Sequence, residues 1–300
     1  MFSQILIPLD GSKTAEKVLP YARFLAEMLK LPVELLGIID LVAIGTHLSG
    51  EKSRYLDSFV AEEARSSKAY LEEIARTFFG GAARCTVEKG KPEDMIVEKG
   101  SADTTTLIAM ATHGRSGVRR WLLGSVTEKV LRGARNPLLL IRAQEEAKRE
   151  GEAVVKSVIV PLDGSALAES AISMVSDLAR ALKVDVILCR AYELPTGAYY
   201  GSEDYLPNYE ELLKGLREET HVYLKSKVAE MKGQDLERVS AVALEGSSAE
   251  EIIKFARETP NSLVAMCTHG RSGVERWVLG SVTEKVVRHS GEPVLVLRAR

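Results

Sequence analysis

Two glycine-rich segments of this chain are nearly identical. The first, ATHGRSGVRRWLLGSVTEKV, spans residues 111–130, and the second, CTHGRSGVERWVLGSVTEKV, spans residues 267–286. Glycine lets the backbone adopt conformations that other residues avoid, and it lets N–H groups approach an anion without an intervening Cβ. The spacing therefore predicts a cradle for phosphate groups. Its glycines are Gly114, Gly117 and Gly124 in the first segment and Gly270, Gly273 and Gly280 in the second.

A helix is predicted to begin near the end of each segment, at Gly124 in the first. The first N–H groups of a helix lack backbone partners, and the helix dipole favours negative charge there. The hydroxyls of Ser125 and Thr127 would add donors, and Arg115 is placed to neutralise outer phosphate oxygens. The residues expected at this end are Arg115, Ser125, Val126 and Thr127, and in the second segment Arg271, Ser281, Val282 and Thr283.

A carboxylate follows the first predicted strand of each half. The motif PLDGS occurs at residues 8–12 and again at 161–165, which places Asp10 and Asp163 at strand ends. A carboxylate in that position could accept hydrogen bonds from ribose hydroxyls or from an adenine amine.

The phosphate interpretation has a structural alternative, in which the glycines only make tight turns and Ser125 only caps a helix. The sequence contains neither G-x-x-x-x-G-K-[ST] nor G-x-G-x-x-G, so the common NTPase and dinucleotide motifs are absent. A different nucleotide-binding fold is required if the phosphate interpretation holds.

Composition excludes several classes of function. The net charge of −2 gives no global attraction to nucleic acid or to anionic lipid. No apolar run approaches the roughly 18 residues that span a bilayer, and the amino-terminal residues do not resemble a secretory leader. We therefore expect a cytoplasmic protein with no membrane or nucleic-acid partner. Cys85, Cys189 and Cys267 lack metal-site or disulfide spacing and are expected to be buried structural thiols in strands.

The chain is a duplicated unit. Residues 1–143 align with residues 156–300, with a charged linker predicted at 144–155. In each half, five short apolar strands alternate with four helices. The first helix of the first half is expected to run without a break over residues 13–30. This alternation predicts two α/β domains, each with a doubly wound, five-stranded parallel sheet. Ligands bind such sheets at the carboxyl ends of the strands, where PLDGS and the glycine-rich segments would meet.

These motifs resemble, in the same order, those of the universal stress protein family. The resemblance rests on PLDGS, on M-x-T-H-G at residues 110–114 and 266–270, on the nine residues that lead to GSVTEKV, and on Asn136-Pro137 or Glu292-Pro293 before the last strand. It covers essentially the whole chain and implies a tandem, two-domain member with the adenine nucleotide alpha hydrolase-like fold.

The resemblance also implies a nucleotide site in each half. Nucleotide-binding members carry G-x-x-G, nine residues, and then G-[ST]; here Ala111 and Cys267 replace the first glycine. Alanine adds one methyl group, whereas the larger cysteine could crowd the pocket. His113 and His269 are expected to orient the loop rather than to act as bases or metal ligands. The remaining implied pocket residues are Pro8, Leu9, Asp10, Ile38 and Met110, and Pro161, Leu162, Asp163, Ala191 and Met266.

Three functions remain open at this point. The first is a stress-response protein that binds an adenine nucleotide, ATP or AMP, with Mg²⁺ accompanying ATP and the ligand regulating conformation or partner binding. The second is a slow ATPase or autophosphorylating protein, and the third is a nucleotide-free interaction scaffold. By resemblance, the two domains would pair as an internal pseudo-dimer, and a homodimer is a further option.

Overall fold

The structure is a computed structural model. It describes residues 1–42, 44, 56–112, 123–142, 153–194, 209–268 and 279–298. Within them, the first repeat contains five strands and five helices. In chain order these are β1 (Ile5–Pro8), α1 (Lys13–Glu16), α2 (Leu19–Leu29), β2 (Val33–Ile39), α3 (Leu56–Phe79), β3 (Arg84–Lys89), α4 (Pro92–Ser101), β4 (Leu107–Ala111), α5 (Ser125–Gly133) and β5 (Leu138–Ile141).

The described residues of the second repeat contain the same series of elements. They are β6 (Ser157–Pro161), α6 (Ala166–Glu169), α7 (Ala171–Leu182), β7 (Asp185–Tyr192), α8 (Tyr209–Lys232), β8 (Val239–Glu245), α9 (Ser248–Glu258), β9 (Ser262–Cys267), α10 (Ser281–His289) and β10 (Val294–Leu297).

The strands of the first repeat lie in the order β3-β2-β1-β4-β5 and pair in parallel. Those of the second lie in the order β8-β7-β6-β9, again in parallel, and Val264 donates from its backbone N–H to the carbonyl of Pro293, just before β10. Every residue of β4 and of β9 is buried, as expected for a sheet with helices on both faces. The predicted fold class, two doubly wound parallel-sheet domains, is confirmed.

The single helix predicted over residues 13–30 was wrong in detail, because the structure divides it into α1 and α2. Pro20 occupies the first turn of α2, where a residue without an N–H group costs nothing. Between the two helices, Lys17 and Val18 form a turn with shorter-range hydrogen bonds to Thr14 and Ala15. The second repeat has the same division, between Glu169 and Ala171.

The described residues also group into two compact units. One contains those of 1–154 together with Leu295–Arg298, and the other contains those of 155–294. Within the first unit, the Arg298 guanidinium donates a hydrogen bond to the backbone carbonyl of Leu131, in the last turns of α5. The predicted linker at 144–155 lies mostly outside the described residues, so the domain boundaries stay a prediction.

Candidate functional site

The PLDGS motif forms a tight turn between β1 and α1. Gly11 has φ of 80°, in the left-handed region that favours glycine. The Asp10 carboxylate accepts hydrogen bonds at Oδ1 from the Ser12 backbone N–H at 2.9 Å and from the Ser12 hydroxyl at 2.6 Å. The Ser12 oxygen in turn accepts from the N–H of Ala15 at 3.1 Å and caps α1. The turn therefore fixes the carboxylate in place.

The second repeat builds the same turn after β6. Gly164 has φ of 85°, and Asp163 Oδ1 accepts from Ser165 N–H at 2.9 Å and from the Ser165 hydroxyl at 2.6 Å. Ser165 caps α6 by accepting from Ala168 N–H at 3.2 Å. The predicted role of the two aspartates toward a ligand must therefore coexist with a structural role in the turn.

The amino-terminal end of α10 has the amide arrangement expected of an anion site. Gly280 is its N-cap and donates to the Thr268 carbonyl at 2.8 Å, and no side chain caps the helix. The first helical bond runs from Glu284 N–H to the Gly280 carbonyl at 2.9 Å. Within the described part of the chain, the amides at positions 281–283 precede this first helical bond and no side chain caps them, so these N–H groups can receive an anion.

The helix α5 of the first repeat begins in the same way. Gly124 donates to the Thr112 carbonyl at 2.8 Å and accepts from Glu128 N–H at 2.8 Å, again without a side-chain cap. Contrary to the structural alternative, Ser125 does not cap this helix. Its side chain, like that of Ser281, is exposed on the first turn.

Two expectations about this turn need correction. Gly124 and Gly280 have φ of −59°, a conformation open to any residue, so neither needs to be glycine for backbone reasons. The hydroxyl of Thr127 is buried and donates to the Ala111 carbonyl at 3.1 Å, and that of Thr283 donates to the Cys267 carbonyl at 2.9 Å. These hydroxyls tie the helix to the preceding strand and are not free donors for phosphate.

A pocket with a volume of about 410 Å³ opens at the carboxyl ends of β6, β7 and β9. All of the described residues that the sequence analysis predicted for the second site line it. They are Pro161, Leu162, Asp163, Ala191, Met266, Cys267, Gly280, Ser281, Val282 and Thr283. The volume falls within the range of roughly 300–1,000 Å³ that small-molecule sites occupy.

Sequence reasoning missed the other residues of this pocket. They are Ala168, Arg190, Tyr192, Glu193, Leu216, Glu219, Thr220, Ser248 and Ile252. Arg190, Tyr192 and Glu193 flank the predicted Ala191, so their closeness in sequence was a usable signal. The residues from α8 and α9 carried no such signal, because only the packing of those helices directs them to the pocket.

A polar wall of this pocket is built around Arg190. Its guanidinium donates to Glu219 Oε1 at 3.1 Å and lies 4.8 Å from the centroid of the Tyr223 ring. The Tyr223 hydroxyl donates to Glu169 Oε1 at 2.7 Å. Burial, followed by the Glu169 carboxylate, raises the pKa of Tyr223, so this phenol remains a donor at physiological pH.

The thiol of Cys267 lies 3.4 Å from the hydroxyl of Ser170, at the start of α7. It is 5% exposed, and burial raises its pKa. The thiol that replaces a glycine of the family pattern is thus held against α7, and the pocket beside it stays open.

The first repeat places its predicted residues on equivalent elements. Pro8 ends β1 and is followed by Leu9 and Asp10, Ile38 lies in β2, and Met110 and Ala111 end β4. The hydrogen bond from Thr127 to Ala111 joins α5 to that strand. Eight predicted residues lie outside the described part of the chain: His113, Gly114, Arg115, Gly117, His269, Gly270, Arg271 and Gly273.

Two absences hold within the described residues. No three His, Cys, Asp or Glu side chains group closely enough to hold a metal ion. No helix in this part of the chain combines the length and the apolarity needed to cross a bilayer.

The fold and the pocket together define a class: Rossmann-like α/β domains with a ligand crevice at the carboxyl edge of the sheet. The family model of the universal stress protein family matches residues 1–142 and again residues 155–298. The chain belongs to the universal stress protein family. Its two matched domains fit an internal pair, as the sequence resemblance implied.

Individual relatives agree with this assignment. Universal stress protein MJ0531 of Methanocaldococcus jannaschii is 32% identical over 150 residues, which cover 50% of this chain and 86% of that protein. A universal stress protein of Mycolicibacterium smegmatis is 22% identical and aligns with 99% of this chain and 97% of its own length. In fold, the crystal structure of a universal stress protein from Archaeoglobus fulgidus matches with a TM-score of 0.69 at 21% identity, covering 99% of both chains.

Proposed function

We propose that this protein binds an adenine nucleotide, ATP or AMP, in the crevice of each repeat, and that the bound ligand regulates its conformation or its contacts with partners. One observation carries the proposal: the uncapped first-turn amides of α10 belong to residues that line a pocket of about 410 Å³. An anionic group bound there would complete the hydrogen bonding of the helix end.

The pocket has the polarity that a nucleotide requires. Its anion-binding end is the start of α10, which follows β9, and its other end is the carboxyl end of β7. Because β6 lies between β9 and β7, these ends are separated by roughly 10 Å, twice the spacing of neighbouring strands. Asp163 lies between them, where ribose hydroxyls would pass.

The proposal keeps three expectations of the sequence analysis. Mg²⁺ would arrive with a triphosphate, coordinated mainly by phosphate oxygens and water. The protein would work in the cytoplasm, and its two domains would pair as an internal pseudo-dimer. Membership of the universal stress protein family supports a role in the stress response.

Binding is tested by calorimetric titration of the full chain with ATP and with AMP, together with mass spectrometry of the protein under non-denaturing conditions. We expect up to two nucleotides per chain. Gly280→Val should remove the second-repeat site and Gly124→Val the first, because each places a side chain at the anion-binding end. The φ of −59° at both glycines permits valine, so the variants should fold.

Gly215→Val is the matched control, because a Cβ at this position in α8 meets no other atom within 4 Å. It should bind as the unmodified chain does. Absence of co-purified nucleotide and of calorimetric binding would overturn the proposal and favour a nucleotide-free scaffold. Accumulation of ADP that Gly124→Val abolishes would instead indicate slow hydrolysis or autophosphorylation.

A further inference from the structure

The two repeats carry different residues at one position near the carboxyl ends of β2 and β7, the end of the crevice opposite the proposed anion-binding end. In the strand registers, Pro8 pairs with Leu36 and Pro161 pairs with Cys189. The next residue is therefore Gly37 in the first repeat and Arg190 in the second. A glycine and an arginine at equivalent positions give the two sites different chemistry.

The first repeat has no room for a side chain at this position. A Cβ on Gly37 would collide with the hydroxyl oxygen of Ser67 and would lie 3.3 Å from Leu71 Cδ1. The helix α3 therefore packs directly on the strand. This repeat offers no side-chain donor at residue 37.

In the second repeat, Arg190 supplies hydrogen-bond donors to the pocket. Its side chain is only 11% exposed, and within the described residues its guanidinium bonds to Glu219 alone. Arg190 lines the pocket, and among the described residues only one of its nitrogens, Nη2, donates a hydrogen bond to another side chain. The Tyr223 ring and Glu219 fix the guanidinium in one orientation.

Arg190 and Glu219 together present a donor beside an acceptor. Adenine offers the complementary pair on one edge, with N7 as acceptor and the N6 amine as donor, whereas guanine offers two acceptors there, N7 and O6. A carboxylate placed beside O6 would be repelled. The arrangement therefore fits adenine and disfavours guanine.

Building on the proposed function, we propose that Arg190 and Glu219 read the adenine edge in the second repeat. Arg190 donates to N7, and Glu219 accepts from the N6 amine. With Gly37 in place of the arginine, the first repeat lacks this contact. The second site is therefore the more selective of the two for adenine.

The test uses the full chain and 2-azido-ATP as a photolabel, with labelled peptides of each repeat quantified by mass spectrometry. ATP, GTP and 7-deaza-ATP, which has a C–H group in place of N7, serve as competitors. For second-repeat peptides we expect ATP to compete about tenfold better than 7-deaza-ATP, the effect of one good base contact. For first-repeat peptides the two should compete equally.

Arg190→Ala should weaken ATP at the second repeat to the level of 7-deaza-ATP and remove the preference between them. A purely structural arginine would weaken both competitors alike. Glu219→Gln, at a side chain that is 64% exposed, should fold normally and relax the discrimination against GTP, because an amide can donate to O6. Arg217→Ala is the matched control: this arginine bonds Tyr192 and Glu245 but does not line the pocket, so the preference should persist.

Two results would overturn the inference alone: equal competition by ATP and 7-deaza-ATP at the second repeat of the unmodified chain, or a preference that survives in Arg190→Ala. If ATP competes at neither repeat, the proposed function fails as well. The experiment therefore distinguishes the failure of base recognition from the failure of nucleotide binding.

Discussion

At the scale of single residues, Asn136 shows how one buried amide organises a connection. It is fully buried, and its Nδ2 group lies 2.9 Å from the carbonyls of Gly100 and Asp103 and 3.0 Å from that of Thr106. These contacts hold the segment between α4 and β4 against the start of β5. The second repeat has Glu292 at this position, so the arrangement belongs to the first repeat.

Asn136→Ala should lower the free energy of unfolding by about 1–3 kcal/mol, because buried carbonyls lose their donor. The measurement is urea unfolding followed by circular dichroism. Glu292→Ala, at a partly exposed position, is the matched control and should change stability by no more than about 0.5 kcal/mol. Equal losses in the two variants would show that the buried amide has no special role.

Sequence reasoning at this scale was most successful where a residue type has one strong structural use. The PLDGS motif was expected at the end of the first strand and lies there: Pro8 ends β1, Gly11 has positive φ and Ser12 caps α1. It was wrong about the Thr127 hydroxyl, because a threonine in a first turn can bond either outward or back to the preceding strand. Only the packed structure decides between those directions.

At the scale of elements, the helices α5 and α10 are each anchored at their amino-terminal end by a threonine. The Thr283 hydroxyl bonds the last carbonyl of β9, and the Gly280 N–H bonds the carbonyl of Thr268 one residue later. The amides at positions 281–283 are thereby directed away from the strand. These bonds hold the first turn of the helix in place while its amides stay available to a ligand.

Thr283→Val keeps the shape of the side chain but leaves the Cys267 carbonyl without its donor. We expect a loss of about 1–2 kcal/mol in the free energy of unfolding, measured by chemical denaturation. Thr283→Ser retains the hydroxyl and should lose less. Ser281→Ala, on the exposed first turn, should leave stability within about 0.5 kcal/mol. A loss in Ser281→Ala as large as that in Thr283→Val would contradict the anchoring role.

The elements themselves followed from periodicity, because apolar runs such as those of β4 and β9 have few alternatives to a buried strand. The boundary between α1 and α2 could not be predicted, since Pro20 is compatible both with a first turn and with a kinked continuous helix. For Arg190 the sequence offered only its place beside the predicted Ala191, because its access to the pocket depends on how α8 packs on β7.

At the scale of the whole molecule, the three cysteines differ in how deeply the fold buries them. Cys189 is fully buried, and burial raises its pKa to about 12 from the ordinary 9.0. Cys267 is 5% exposed, and Cys85 is partly exposed in β3, which corrects the expectation that all three are buried. Burial raises the pKa of Cys85 and Cys267 as well.

In the native protein, a disulfide reagent should therefore modify Cys85 first, with Cys189 and Cys267 reacting only after denaturation. Cys85→Ser should abolish the early phase. Above pH 9 the unfolded thiol of Cys189 ionises while the folded thiol stays protonated up to about 12, so alkaline pH lowers stability across that interval. Rapid modification of Cys189 in folded protein would show that the β7 core opens readily.

The grouping of Leu295–Arg298 with the first compact unit has a consequence for biosynthesis. A ribosome finishes residues 1–154 long before it reaches the arginine whose guanidinium bonds the Leu131 carbonyl. At elongation speeds of about 5–20 residues per second, that interval is on the order of ten seconds. During that interval the Leu131 carbonyl lacks the Arg298 donor, so the first compact unit is completed only after residues 295–298 have been synthesised.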